Sequence, residues 1–376
     1  MNLADMLTFA DIGQLNRIAD YYQCECKPNS KHELIQSILT TLGSRAFFEQ
    51  QVRELNPVQL RFLNNLLFDP RQYLGIEELV AIARQSMDKK ENETGASPRD
   101  LITRFHKSGW LFNGTTQHTK YLYQVPLDLK LRFRDVLSNH LRAEITNTSE
   151  PTMYRDEYHL LVDDLRLFLQ YVQQHEIALN AEGMMYRRSQ QQLMEHLHVS
   201  EELVGKAGWR FGYGRSFKDY PDRFALIYDY AFHYRLIREE QGMLQLTSAG
   251  EEKQAAEKST EKTSEMIQLF RFWLRLYKGA IPNLASIVYW TGECADEWST
   301  TESLFRQIGS FIQPFYYDTP ETIYDNRIIK MMLHLGMLRI GEAADGRTVQ
   351  MTAWGSRLAD SCSSLSGDIS PVLFDK

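Results

Sequence analysis

Three times along this 376-residue chain an apolar helical period stops at a turn, changes to a short alternating hairpin pattern, and resumes as a helix. The first copy reads LITRFHKSGWLFNGTTQHTKYLYQVPLDL: Gly109 ends a helix, residues 110–112 begin a strand, Asn113 and Gly114 open the hairpin, and Pro126 starts the next helix. In the second, LIYDYAFHYRLIREEQGMLQLTSAGEE, Leu236 and Ile237 form the first strand, Gln241 and Gly242 the turn, and residues 247–250 the start of a helix cap. The third, IIKMMLHLGMLRIGEAADGRTVQMTAWGSRLA, has Gly336 as a left-handed helix stop, Asp345 and Gly346 at the hairpin tip, and a closing turn at 352–355. A change of period from 3.6 to 2 across a Gly or polar turn marks a helix feeding a β-hairpin. The pattern predicts a mainly α fold carrying small β-hairpins.

A helix, a hairpin and a returning helix are how a winged-helix domain finishes, so three copies predict tandem winged-helix modules. Such a length fits two to four domains, and 43% apolar residues with 12% aromatics supply their cores. The expected segments are a small helical module at 1–44, winged-helix-like domains at 45–150, 151–250 and 266–376, and a linker or helix extension at 251–265. The polar stretch SMDKKENETGAS at 86–97 reads as a flexible loop. No apolar run is long enough to span a bilayer, and MNLADMLTFADIG carries acidic residues where a signal peptide needs basic ones, so a cytoplasmic protein without membrane contact is expected. Cys24, Cys26, Cys294 and Cys362 are too few and too badly spaced for a disulfide framework or a zinc site.

The net charge of −7 argues against a strong unspecific grip on duplex DNA, which relies on Lys and Arg neutralising phosphates. Distribution matters more than the total. Residues 99–134 hold Arg99, Arg104, Lys107, Lys120, Lys130, Arg132 and Arg134 against only Asp100 and Asp128. Ser97 and Pro98 open a helix whose Leu101, Ile102 and Phe105 face inward, leaving Arg99, Thr103, Arg104 and Lys107 for bases and phosphates. The wing at 113–120 adds His118 and Lys120. Equally, these charges could simply solvate a surface helix. A second basic segment, GWRFGYGRSFKDYPDR with the preceding Lys206, interleaves aromatics with Arg210, Arg215 and Lys218; it either stacks on bases or is a long connection pinned by its aromatics. The third hairpin tip carries Glu342 and Asp345, which fits protein docking better than DNA.

The amphipathic stretch YHLLVDDLRLFLQYVQQH places Tyr158, Leu161, Val162, Leu165, Phe168, Leu169 and Val172 on one helical face, with the preceding Asp156 and Glu157 as an acidic first turn. Near the N-terminus, Ser30 is expected to cap a helix with Glu33 as its capping-box partner, and SKHELI resembles the core of SAP and Rho N-terminal-like modules, which makes Lys31 a candidate nucleic-acid contact. The order LRLFLQYVQQHEIALNAEGMMYRRSQQQLMEHL followed by FALIYDYAFHYRLIREEQGMLQLTSAGEE resembles the bacterial helicase-associated domain related to the N-terminal region of XPB-type helicases. That resemblance implies a strand and turn at 177–183, a basic helix start at Arg187 and Arg188, and a winged-helix ending at 236–250. It brings no motor, because no GxxxxGK[ST] loop is present. Neither a nucleophile elbow nor a metal-spaced His set occurs, so no enzyme activity and no cofactor is expected. Two functions remain open: an accessory protein that binds double- or single-stranded DNA with a helicase or other DNA-processing partner, or a pure protein scaffold.

Overall fold

The computed structural model describes residues 1–87, 97–205, 210–255 and 262–363. Most of the expected loop at 86–97, residues 256–261 of the linker at 251–265, Lys206 and the end of the 266–376 segment lie outside the described residues. The described chain is mainly helical with small antiparallel sheets. It forms two compact units, Met1–Ile145 and Thr146–Cys362, over which the five segments expected from sequence are distributed. Among the described residues no helix is long and apolar enough to cross a membrane.

The first unit begins with α1 (Leu3–Phe9), α2 (Ile12–Tyr21), α3 (Lys31–Gly43) and α4 (Arg45–Arg53). Ser30 caps α3 by accepting from the Glu33 amide, but the Glu33 carboxylate turns back to the Lys27 amide instead of completing a capping box. Then come α5 (Pro57–Leu67), α6 (Ile76–Ser86), α7 (Pro98–Lys107), the strands β1 (Phe112–Asn113) and β2 (Tyr123–Gln124), and α8 (Leu127–Ala143). Asn56 and Gln59 form a reciprocal capping box at α5, with Pro57 in the first turn where its missing N–H costs nothing. Leu74 bridges Tyr123, so a single residue acts as a third strand beside β2. Phe48, Phe62, Phe105, Trp110 and Phe133 interlock at the centre, with ring centroids 4.8–5.4 Å apart.

The second unit holds β3 (Tyr154–Arg155), α9 (Leu160–Gln174), β4 (Ile177–Ala178), α10 (Arg187–His196), α11 (Asp222–His233), β5 (Ile237–Glu240), β6 (Met243–Leu246), α12 (Ser248–Ala255) and α13 (Lys262–Tyr277). It continues through α14 (Leu284–Cys294), β7 (Ser299–Thr300), α15 (Thr301–Ile308) and α16, which runs from Pro320–Thr322 through a π-helical stretch Ile323–Ile329 to Lys330–His334. The strands β8 (Leu338–Ala343) and β9 (Gly346–Met351) and the helix α17 (Ala353–Ser361) end it. One sheet has the order β4-β6-β5 and the other β3-β8-β9-β7. The same plan therefore recurs three times. A helix leads to a short strand, two helices follow, and the hairpin's second strand pairs with that earlier strand.

The acidic start expected for α9 is placed differently. The helix begins at Leu160, Tyr158 is 46% exposed, and Glu157 is buried. Its carboxylate meets Arg223 Nε at 3.3 Å and His334 Nδ1 at 2.8 Å, while Asp164 on α9 takes Arg223 Nη1 at 2.6 Å. Burial pushes the Glu157 carboxyl up, but the His334 hydrogen bond and the neighbouring Arg223 and Arg155 outweigh it and hold the group at about 2. Glu157 is thus a partner for α11 and α16 instead of a helix-dipole charge.

Candidate nucleic-acid interface

The α7 helix is built to show one polar face. The Ser97 hydroxyl accepts from the Arg99 amide at 3.2 Å, and Pro98 fixes the first turn. Leu101, Ile102 and Phe105 are buried at helical spacing, which stabilises the docked helix by roughly 5–8 kcal/mol before the entropy of ordering is subtracted. Arg99, Thr103, Arg104 and Lys107 lie exposed on the opposite side. Thr103 donates to the Arg99 carbonyl at 2.8 Å, so its hydroxyl is already engaged with the helix. Two of the three cations, Arg104 and Lys107, sit near the helix C-terminus, where the dipole favours positive charge.

Gly109 ends α7 with φ +66°, a left-handed conformation that glycine adopts at little cost, and a Cβ there would crowd Ile18 on α2 at 3.2 Å. A His106 ring nitrogen lies 3.3 Å from Gln14 on α2 and 3.3 Å from Asn113 on β1, tying α7, β1 and α2 together. The loop between β1 and β2 exposes His118, Lys120 and Tyr121, with the Lys120 ammonium 4.9 Å from the Tyr121 ring centroid.

The basic count over 99–134 overstates the surface charge. Lys130 and Arg134 are buried, and burial together with Arg134 lowers the Lys130 ammonium to about 8. Arg134 donates to the Leu67 carbonyl at 2.6 Å, at the end of α5. Arg132 donates to the carbonyls of Leu42, Gly43 and Ser44 where α3 ends, and its guanidinium stacks 4.2 Å from the Phe48 ring centroid. Arg132 and Arg134 thus complement helix C-termini, and Lys130 lies buried near Arg134. Arg132→Ala is expected to lower stability by about 1–2 kcal/mol in chemical denaturation. Unchanged stability would show that the capped carbonyls find water equally well.

Elsewhere the candidate cations are largely committed. Lys31 is exposed, but its ammonium donates to the Thr8 carbonyl at 2.8 Å, near the end of α1. Arg187 and Arg188 open α10 at the surface, and Arg187 donates to the Val204 carbonyl at 2.8 Å. Arg210 is bound by the carbonyls of Phe217 and Tyr220 and by Asp222. Arg215 forms two bonds with Glu239 at 2.7 and 2.9 Å and lies 3.9 Å from the Phe232 ring centroid. Of this segment's candidates, Lys218 alone is exposed without an ion-pair partner among the described residues. Between the two readings of the segment, these bonds favour the pinned connection, because its arginines fold the loop back on itself.

The helices equivalent to α7 differ sharply from it. In α11, every residue from Arg223 to Ala231 is buried, and exposure begins only at Phe232. In α16, Arg327 pairs with Asp318 at 3.0 Å and Lys330 with Asp222 at 2.8 Å, so its cations face the start of α11. Sequence reasoning missed His233, Tyr234, Arg235 and Arg238, an exposed aromatic and basic run where α11 passes into β5. The pattern FHYRLIR after an all-apolar helix was the available signal, since a helix apolar all round can show polar groups only at its ends. No family model matches the chain, and no curated protein matches it.

Proposed function

We propose that the chain is a non-catalytic, nucleic-acid-associated accessory protein built of tandem winged-helix modules, in which the first module contacts DNA. The observation that carries this reading is the exposed face of α7, where Arg99, Arg104 and Lys107 have no ion-pair partner among the described residues. The recurring strand order supports the winged-helix reading, because the strand preceding the last two helices pairs with the second hairpin strand in each copy. In that arrangement α7 is the helix offered to a major groove, and His118 and Lys120 on the wing meet the flanking backbone. The net charge of −7 restricts the contact to this face. Burial of α11 and α16 favours a second reading, a scaffold whose other modules serve a helicase or DNA-processing partner.

Fluorescence anisotropy with a duplex oligonucleotide at 50 and 200 mM salt tests the proposal. The Arg104→Glu/Lys107→Glu variant is expected to bind at least tenfold more weakly, with the salt slope reduced by about 2. Absence of binding at low salt, or equal affinity for the folded variant, would leave the scaffold reading.

A further inference from the structure

In the second unit, the end of α11 and the hairpin β5-β6 enclose, with α13, a pocket of about 680 Å³. Its floor is apolar, made by Phe232, Ile237, Phe272 and Leu276. Its mouth is cationic. Arg235 is exposed with no side-chain partner among the described residues, and Arg238 is exposed with only the equally exposed Glu240 at 3.3 Å and Gln245 at 3.1 Å. The acidic groups at the pocket are already neutralised or turned inward. Glu239 takes both Arg215 bonds and the Tyr228 hydroxyl at 2.8 Å, and buried Asp229 accepts from the Arg215 and Ser216 amides at 2.8 and 3.4 Å. Arg275, with its guanidinium 5.8 Å from the Phe272 ring centroid, adds positive charge beside the floor.

We infer that this pocket docks an acidic peptide of a partner protein, an aromatic or aliphatic side chain filling the floor while flanking carboxylates meet Arg235 and Arg238. The two parts of the surface demand the two parts of that ligand. An apolar concavity of this size gains free energy only from a group that displaces its water, and such anchors dominate peptide recognition. A duplex offers phosphates to the rim but nothing apolar for the floor. Carboxylates on both sides of a Leu-Phe pair satisfy rim and floor together. The inference stands on residues of the second unit alone and does not depend on DNA binding at α7.

The test is fluorescence anisotropy of the full chain with a fluorescein-labelled synthetic peptide in which a Leu-Phe pair is flanked on each side by three acidic residues. Saturable binding is expected, at least tenfold weaker for Arg235→Glu/Arg238→Glu and for a peptide carrying Ser-Ser in place of Leu-Phe. The milder Arg235→Gln variant, whose side chain is exposed, is expected to weaken binding by a smaller factor while circular dichroism stays unchanged. Arg104→Glu/Lys107→Glu should leave peptide affinity as it is, which separates this result from the DNA assay. The inference is overturned if the acidic peptide does not bind saturably, or if the Ser-Ser peptide binds equally well. Displacement of the peptide by a duplex whose own affinity falls in Arg235→Glu would also overturn it, making the rim a nucleic-acid surface.

Discussion

Replacing Gly355 by Ala is expected to destabilise the second unit by about 3 kcal/mol or more, a large effect for one methyl group. The cause is a clasp that occurs twice. Thr352 donates its amide to the Met337 carbonyl at 2.9 Å and its hydroxyl to the Gly336 carbonyl at 2.9 Å, while the hydroxyl oxygen accepts from the Gly355 amide at 2.9 Å. Thr247 repeats this with the carbonyls of Leu236 and Arg235 and the Gly250 amide. The clasp draws the first turn of α17 or α12 onto the peptide that leaves the preceding helix. A Cβ at Gly355 would then fall well inside contact distance of the Met337 carbonyl oxygen, and one at Gly250 inside that of Leu236. Each of these carbonyls precedes a paired strand by one residue and is held by the threonine amide, so the strand or the helix must shift. Gly279→Ala, with nothing within 4 Å of its Cβ, is the control and should stay within about 0.5 kcal/mol of wild type. Urea denaturation measures both; a Gly355→Ala midpoint equal to that of the control would dismiss the clasp.

The sequence shows this clasp as Thr-x-x-Gly after the second and third hairpins, which is why those helix starts were legible. The first copy lacks it. There Asp128 accepts from the Leu3 amide at 2.8 Å, so α1 holds the start of α8 in place of a Thr cap. Helix ends at Gly109 and Gly336 were equally readable, because both residues need positive φ. The first strand of the first and third copies was much less so. Leu74 is one residue and Ser299–Thr300 two, too short for any periodicity to register. The inward cations were legible but required a different reading from a charge count. Lys130 and Arg134 fall at i, i+4 on the stripe of Phe133, Leu137 and Leu141, and a cation on that stripe packs inward instead of outward toward phosphate, Arg134 reaching the end of α5. The carboxylates that hold Arg210 and Arg215, by contrast, come from α11 and β5, contacts that no local pattern encodes.

Removing the charge of Arg223 by Met is expected to cost about 3–5 kcal/mol, since it strands two carboxylates in the interior. Arg223, Glu157 and Asp164 are each about 1% exposed or less. Asp164 also accepts from the His198 and Val199 amides, so some of its stabilisation survives the loss of the guanidinium. Glu157 retains His334 and Arg155 and loses the cation packed against its inner oxygen. The pH dependence separates this cause from a simple packing defect. In the wild type the Glu157 carboxyl is held at about 2, below its value in an unfolded chain. Its contribution is therefore present in full above the unfolded value and is lost as pH falls toward 2. In Arg223→Met, burial without the guanidinium raises the carboxyl, and protonation then relieves the buried charge. The variant should recover stability relative to wild type as pH is lowered from 7 to 4, whereas a packing defect would keep the gap constant. Urea midpoints of the two proteins across that range decide the matter. A constant difference would mean that Arg223 acts through its volume, and a difference under about 1 kcal/mol at pH 7 would mean that the carboxylates reach solvent once the arginine is gone.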